Sequence, residues 1–274
     1  GVYEGGGAAA GDILNNITTF YLSSAADTFL ASQDQVLNGV SAGAGNDTIS
    51  FENIASVSLA AGEGDDSVSG TLRDANIHLD AGNDVMTFSF LEGNASVFGD
   101  AGNDSITLDG GTSPGVINGG EGNDTITADS PDFGADIQGA AGNDHITMTG
   151  NFLSGSGGAG NDTITGTGAD VFIYGGDNGD VISATGICQV FGDAGDDDIT
   201  YVDSDFSGGS LLFGSIDAGT GDDTVVSEGH NMQISLGEGH DSLTHEIYVV
   251  GTTTDVFDGG AGNDTITLTT SMPN

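Results

Sequence analysis

Gly157-Gly158-Ala159-Gly160-Asn161-Asp162-Thr163-Ile164-Thr165 is a glycine-rich acidic turn that runs directly into a short strand-like segment. Variants of this unit recur along the chain. Its last aspartate marks twelve positions: Asp47, Asp66, Asp84, Asp104, Asp124, Asp144, Asp162, Asp180, Asp197, Asp223, Asp241 and Asp264. Their separations are 19, 18, 20, 20, 20, 18, 18, 17, 26, 18 and 23 residues. A period near 20 residues is that of a solenoid, in which one repeat makes one coil and buries its apolar side chains only by stacking on its neighbours.

Aligned on the aspartate, the position two residues later reads Ile49, Val68, Met86, Ile106, Ile126, Ile146, Ile164, Ile182, Ile199, Val225, Leu243 and Ile266. The position seven residues before it reads Val40, Leu59, Ile77, Val97, Ile117, Ile137, Gly155, Ile173, Val190, Ile216, Ile234 and Phe257, with only Gly155 out of pattern. Alternation around each column predicts two short strands per coil, each sending every second side chain inward. The fold class is therefore all-β, a parallel β-solenoid with a thin aliphatic interior. Three residues after the aspartate, eleven of twelve positions are Ser or Thr, Val226 being the exception, which predicts a flat hydroxyl face. The other outward face carries Phe98, Phe172, Tyr174 and Phe191. The long spacings after Asp197 and Asp241 read as insertions at the edge opposite the acidic turns. Residues 41–274 form the array, continuous with a segment 1–40 whose residues 11–40 read as degenerate coils without ion sites.

The chain has 42 acidic residues against one basic residue, Arg73, for a formal net charge of −41. Such a surface repels phosphate, which excludes nucleic acid and anionic membrane as partners. No run of 18 apolar residues exists to span a bilayer. Cys188 is alone, so no intramolecular disulfide forms, and its column otherwise holds Ala75, Ala95, Gly115 and Ala135, which marks it as a small interior filler. Gly1–Ala10 lacks the basic start and apolar core of a signal peptide. His78, His145, His230, His240 and His245 fall at unrelated offsets in the repeat, with no His-Glu-x-x-His and no nucleophile elbow. The chain is expected not to be an enzyme.

Stacking brings equivalent aspartates to about 4.8 Å, the strand spacing. Two unit charges that close repel by roughly 3 kcal/mol at an effective dielectric near 20. A row of them would cancel the gain from a thin core unless cations sit among them. Glycine lets successive carbonyls turn inward beside the carboxylate, giving a hard-oxygen environment. Calcium, which accepts flexible sites of six to eight oxygens, suits it better than magnesium or a softer metal.

The turns Gly119-Gly120-Glu121-Gly122-Asn123-Asp124, Gly157 to Asp162 and Gly259-Gly260-Ala261-Gly262-Asn263-Asp264 resemble the hemolysin-type calcium-binding repeat, or RTX repeat, Gly-Gly-x-Gly-x-Asp-x-apolar-x. That family implies a right-handed parallel β-roll, secretion by Gram-negative bacteria through type I machinery, and folding on contact with extracellular calcium. By this resemblance the twelve aspartates are side-chain ligands, and nearby glycine carbonyls complete the sites: Gly43, Gly45, Gly62, Gly64, Gly82, Gly102, Gly120, Gly122, Gly142, Gly158, Gly160, Gly195, Gly219, Gly221, Gly260 and Gly262. Asp80, Asp100 and Asp193 replace the glycine four residues before the anchor, where they either strengthen a site or face solvent. One full motif per coil, rather than tandem motifs, implies calcium on one edge only, about one ion per coil. The turns ending in Asp180 and Asp241 are irregular.

These readings point to a secreted, calcium-stabilised structural protein that assembles with copies of itself into a surface layer, filament or matrix. The absence of an amphipathic cover after Ile266-Thr-Leu-Thr-Thr supports that expectation. The alternatives are an ice-binding or adhesive module that meets ice or a cell-surface glycan through the hydroxyl face, and a β-roll scaffold of a larger secreted toxin or enzyme.

Overall fold

The computed structural model describes residues 2–4, 18–32, 37–92, 95–110, 115–130, 134–203, 214–248 and 254–271. Every regular element among them is a β-strand, and every strand pairing described is parallel. The chain divides into two compact units, Gly1–Gln138 and Gly139–Asn274. Within each, strands stack as a parallel β-solenoid of the right-handed β-roll type.

In the first unit the strands that follow the acidic turns are Thr28–Ala31, Thr48–Ile54, Ser67–Arg73, Val85–Glu92, Ser105–Asp109 and Thr125–Ser130. Ile49, Val68, Met86, Ile106 and Ile126 stand in one register across them. On the opposite wall Val40, Leu59, Ile77, Val97 and Ile117 do the same. All ten side chains are buried. The degenerate segment also joins the stack, since Thr28–Ala31 pairs with Thr48–Ile54 and Thr19–Tyr21 pairs with Gly39–Ala44.

The second unit repeats the arrangement, with Ile146, Ile164, Ile182, Ile199, Val225, Leu243 and Ile266 in register. Two strands, Thr163–Asp177 and Val181–Ala194, continue unbroken around the edge opposite the acidic turns, with a register shift between Ala169 and Val171. The insertion expected after Asp197 falls on residues 204–213, outside the described residues; the strands on either side, Asp198–Val202 and Ser215–Asp217, keep their pairing. The same holds for residues 249–253.

Gly155, the exception in the apolar column, is compensated from the facing wall. A Cβ at Gly155 would fall on the thioether of Met148, which is fully buried. A long unbranched side chain on one sheet fills the space that a branched one leaves on the other, the gap-filling to which methionine is suited. The interior also accepts polar groups where they find partners. The Tyr201 hydroxyl donates to the Gly186 carbonyl at 2.6 Å, and Ser227 Oγ bonds His245 Nδ1 at 2.8 Å. On the outward face His78 stacks on Phe98 and Tyr174 on Phe191, with centroids 4.7 and 4.9 Å apart. These rings face one another along the ladder and present edges outward.

Overpacking tests the Met148 compensation. Gly155→Val should cost about 1–3 kcal/mol by collision with the Met148 thioether, and Met148→Ala in the same chain should recover part of that loss. Equal melting temperatures for the single and double variants would contradict it.

Candidate metal centre

Each acidic turn is shaped by glycines of two kinds. Those four and two residues before the aspartate hold left-handed dihedrals, as at Gly62 (φ 118°), Gly64 (φ 122°), Gly120 (φ 112°), Gly122 (φ 120°), Gly219 (φ 110°) and Gly221 (φ 135°). They also meet the preceding coil: a Cβ at Gly62 would fall on the Gly43 carbonyl oxygen, and one at Gly160 on that of Gly142. Gly43, Gly45, Gly82, Gly102, Gly142, Gly158, Gly195, Gly260 and Gly262 share the positive φ. The glycine five residues before the aspartate has no such dihedral and is needed for space. A Cβ on Gly175 would lie 2.5 Å from both Asp180 Oδ2 and the Gly192 carbonyl oxygen. At Gly157 it would fall between Asp162 Oδ2 and the Gly175 carbonyl, and at Gly99 between Asp104 Oδ2 and the Gly119 carbonyl.

The aspartates form a directed ladder. In the first unit the Asp47 amide donates to Asp66 Oδ1 at 2.7 Å, Asp66 to Asp84 at 2.7 Å, Asp84 to Asp104 at 2.8 Å and Asp104 to Asp124 at 2.8 Å. In the second, Asp144 donates to Asp162, Asp162 to Asp180, Asp180 to Asp197, Asp197 to Asp223, Asp223 to Asp241 and Asp241 to Asp264, over 2.7–3.2 Å. Both irregular turns keep their place in the row. In the turn of Asp180 the glycine–asparagine order is reversed, and Asn178 takes the left-handed position (φ 78°). In the turn of Asp241 the neighbouring His240 offers Nδ1 to the Asn263 amide at 3.0 Å, where other coils use an asparagine or aspartate oxygen.

The second carboxylate oxygen is the telling atom. Oδ2 of Asp47, Asp66, Asp84, Asp104, Asp162, Asp180, Asp197, Asp223 and Asp241 is buried without a hydrogen-bond partner. A buried ionised oxygen left without donors is among the costliest arrangements a fold can hold, and here it is repeated coil after coil. Burial, then neighbouring carboxylates, outweigh the amide hydrogen bond from the preceding rung and push the carboxyls of Asp84, Asp180 and Asp197 up to about 7, and those of Asp104 and Asp223 up to about 6.

Among the described residues no three His, Cys, Asp or Glu side chains gather into a cluster that could hold a metal ion. What converges is one carboxylate oxygen and backbone carbonyl oxygen per coil, the donor set of a hard, oxygen-seeking cation. The fit is best where the fifth residue before the aspartate is glycine. Ala42, Ala61 and Ala218, and more so Leu79 and Leu236, put a Cβ in that space. The carbonyls five residues before the aspartate, such as those of Gly119, Gly175 and Gly192, are absent from the sequence-based ligand set. The carbonyls of Gly219 and Gly237, four residues before, already accept the Glu238 and Ala261 amides. Asp80, Asp100 and Asp193 take left-handed dihedrals (φ 71°, 68° and 69°), and the Asp100 carboxylate meets His78 Nδ1 at 2.8 Å.

Glycine turns, a buried acidic ladder and an oxygen-only donor set define a parallel β-roll built for divalent cations. The family model of the RTX calcium-binding nonapeptide repeat (4 copies) matches residues 91–112, 109–130, 156–186, 215–243 and 249–268, which include the turns of Asp104, Asp124, Asp162, Asp180, Asp223, Asp241 and Asp264. The matched segments are calcium-binding repeats of the RTX type, and the parallel β-solenoid that carries them fits an RTX-repeat β-roll. No curated protein matches the chain.

Two outcomes check this geometry. Gly175→Ala keeps a side chain that other coils tolerate at the same position, yet should lower the number of tightly held calcium ions by one in equilibrium dialysis. Without calcium, carboxyls raised above their ordinary 3.8 contribute stability that is complete below that value and is lost as pH rises through 6 to 7. In chelator the melting temperature should therefore fall between pH 5 and pH 8, and saturating calcium should abolish or reverse that slope.

Proposed function

We propose that the protein is an extracellular structural element whose fold is completed by calcium, held by the ladder aspartates and the carbonyls of the adjoining coil. The observation that carries this reading is the row of buried Oδ2 atoms without donors. A bound cation supplies the positive charge those oxygens lack, and its binding free energy becomes folding free energy. Where calcium is scarce, as inside a cell, the same row opposes folding, so export as an unfolded chain and folding outside share one cause.

A structural role suits the rest of the molecule better than catalysis. The one serine–histidine pair described, Ser227 with His245, is enclosed in the core with 2% and 0% exposure. Cys188 is buried, and desolvation pushes its thiol up to about 12, far from a reactive thiolate. Self-association is favoured by the strand Thr265–Ser271. It is uncharged, its alternate side chains Ile266 and Leu268 are 41% and 49% exposed, and nearby Val256 is 57% exposed. An uncharged strand with apolar side chains of this kind suits pairing with a further parallel coil.

Circular dichroism during calcium titration, with light scattering on the same samples, tests both parts. Chelation should melt the β signal and calcium restore it. Asp162→Asn keeps the Oδ1 acceptor but removes the charge, and should weaken calcium binding while frustrating neither strand. An unchanged spectrum in chelator would overturn the calcium reading, and monodisperse monomer in calcium would overturn self-association.

A second reading rests on one patch of the second unit. His145, Thr147 and Thr149 stand in register with Thr163, Thr165 and Thr167, and these with Val181, Ser183 and Thr185. No acidic residue interrupts these nine positions, in a chain of net charge −41. The spacing is about 4.8 Å across strands and about 6.6 Å along them. A flat, neutral, periodic hydroxyl array suits a crystalline surface such as ice. Absence of thermal hysteresis and of ice shaping would remove this reading, and activity lost in Thr165→Glu would support it.

A further inference from the structure

One rung of the ladder differs from those of Asp47, Asp66, Asp84 and Asp104. Asp27 lies 20 residues before Asp47, in Leu22-Ser23-Ser24-Ala25-Ala26-Asp27, which contains no glycine. Its amide nevertheless donates to Asp47 Oδ1 at 2.6 Å, as each later rung donates to the next. Its carboxylate is handled differently. Asp27 Oδ2 accepts the Ser23 backbone amide at 2.7 Å and the Ser23 hydroxyl at 2.6 Å. Ser23 Oγ in turn accepts the Ala25 amide at 3.3 Å, tightening the same turn.

The contrast with the following rungs is chemical. At Asp47, Asp66, Asp84 and Asp104 the equivalent oxygen is buried without a donor, whereas at Asp27 two donors from its own coil satisfy it. Hydrogen bonds to a charged acceptor are the stronger kind. They are also present whether or not a divalent ion is available. The next coil is laid on this turn: a Cβ at Gly43 would fall on the Ser23 carbonyl oxygen, and the Leu22 amide donates to the Ser41 carbonyl at 2.9 Å.

The geometry points to Ser23 and Asp27 as a calcium-independent cap for the coils that follow, a preformed rung, the first among the described residues, on which the calcium-dependent coils are added in order. The ladder runs one way, each aspartate amide engaging the carboxylate of the following coil. A rung that closes without metal therefore gives the coils after it a fixed place to build from. It also presents the Asp27 amide to Asp47 before any ion is bound. The cap rests on the calcium-linked ladder proposed above, and the test separates the two.

Amide hydrogen exchange is followed residue by residue on the full chain, in excess chelator and in calcium, for the native sequence, Ser23→Ala and Asp27→Asn. In chelator the native chain should keep protection over Thr28–Ala31 and Thr48–Ser50 while the rungs from Asp84 onward exchange freely. Ser23→Ala removes the hydroxyl donor and should speed exchange in that first pair of coils about tenfold. Asp27→Asn, which keeps the acceptor and the ladder bond, should show a smaller change. Unprotected first coils in the native chain, or identical exchange in the native chain and Ser23→Ala, would overturn the cap. Protection everywhere in chelator would instead overturn the calcium-linked ladder itself.

Discussion

Like charges held at strand spacing inside a closed turn are the constraint to which the other features answer. Parallel stacking in register requires every coil to place the same atom at the same height, so one acidic residue per repeat becomes a column of acidic residues. The carboxylates of Asp66, Asp84 and Asp180 each receive an amide from the coil before, which fixes their orientation and leaves the second oxygen buried without a donor. The aliphatic columns cannot offset such a row by themselves. Each coil adds only a few buried aliphatic side chains such as Ile106 and Ile117. On the function proposed above, cation binding is part of the folding reaction rather than an addition to it.

A second row of side chains works against slippage. One residue before each aspartate, Asn83, Asn103, Asn143 and Asp196 accept the amide of the equivalent residue in the following coil. The aspartate row donates in the forward direction and this one in the reverse direction. Neighbouring coils are therefore held by two sets of side-chain bonds of opposite sense, both at the acidic edge. Irregularity is tolerated provided that an acceptor remains, as His240 shows by substituting a ring nitrogen for an amide oxygen. Among the described residues the edge opposite shows only scattered bonds of this kind, such as the Ala169 amide to Asn151 Oδ1 at 3.0 Å and the Met232 amide to Asp255 Oδ1 at 2.9 Å.

The period, the two apolar columns and the hydroxyl face were legible because each is a statement about one position repeated, and parallel stacking copies a position without changing it. Contacts that join different columns were not legible. Gly155 looks like a defect until Met148, on the facing wall, is seen to occupy its space. Asp100 could be assigned to an ion or to solvent from its offset alone, whereas its partner is His78, 22 residues away. Glycines misled in a more instructive way. A repeat rich in them suggests unusual dihedrals throughout, and at Gly62 or Gly120 that is correct. At Gly157 and Gly175 the dihedral is ordinary, and the missing Cβ instead makes room for a carboxylate and a carbonyl from two coils. Dihedral demand and steric demand leave the same letter in the sequence.

Asp27 shows why the glycine pattern and the ladder are separable properties. Its turn has lost every glycine, so pattern matching alone assigns it no rung, yet its amide engages Asp47 as the later aspartates engage their successors. What the glycines provide elsewhere is a turn in which carbonyl oxygens surround the acid. What Ser23 provides is a turn in which N–H and O–H groups do so. The same carboxylate can be stabilised in either environment. The first depends on a cation being present, and the second is built into the chain. A stack that combined only the first kind would have no favoured place to begin, because every rung would wait on the ion. A stack of only the second kind would fold wherever it was made. Placing one permanent rung beside many conditional ones separates where folding starts from when it is allowed to proceed.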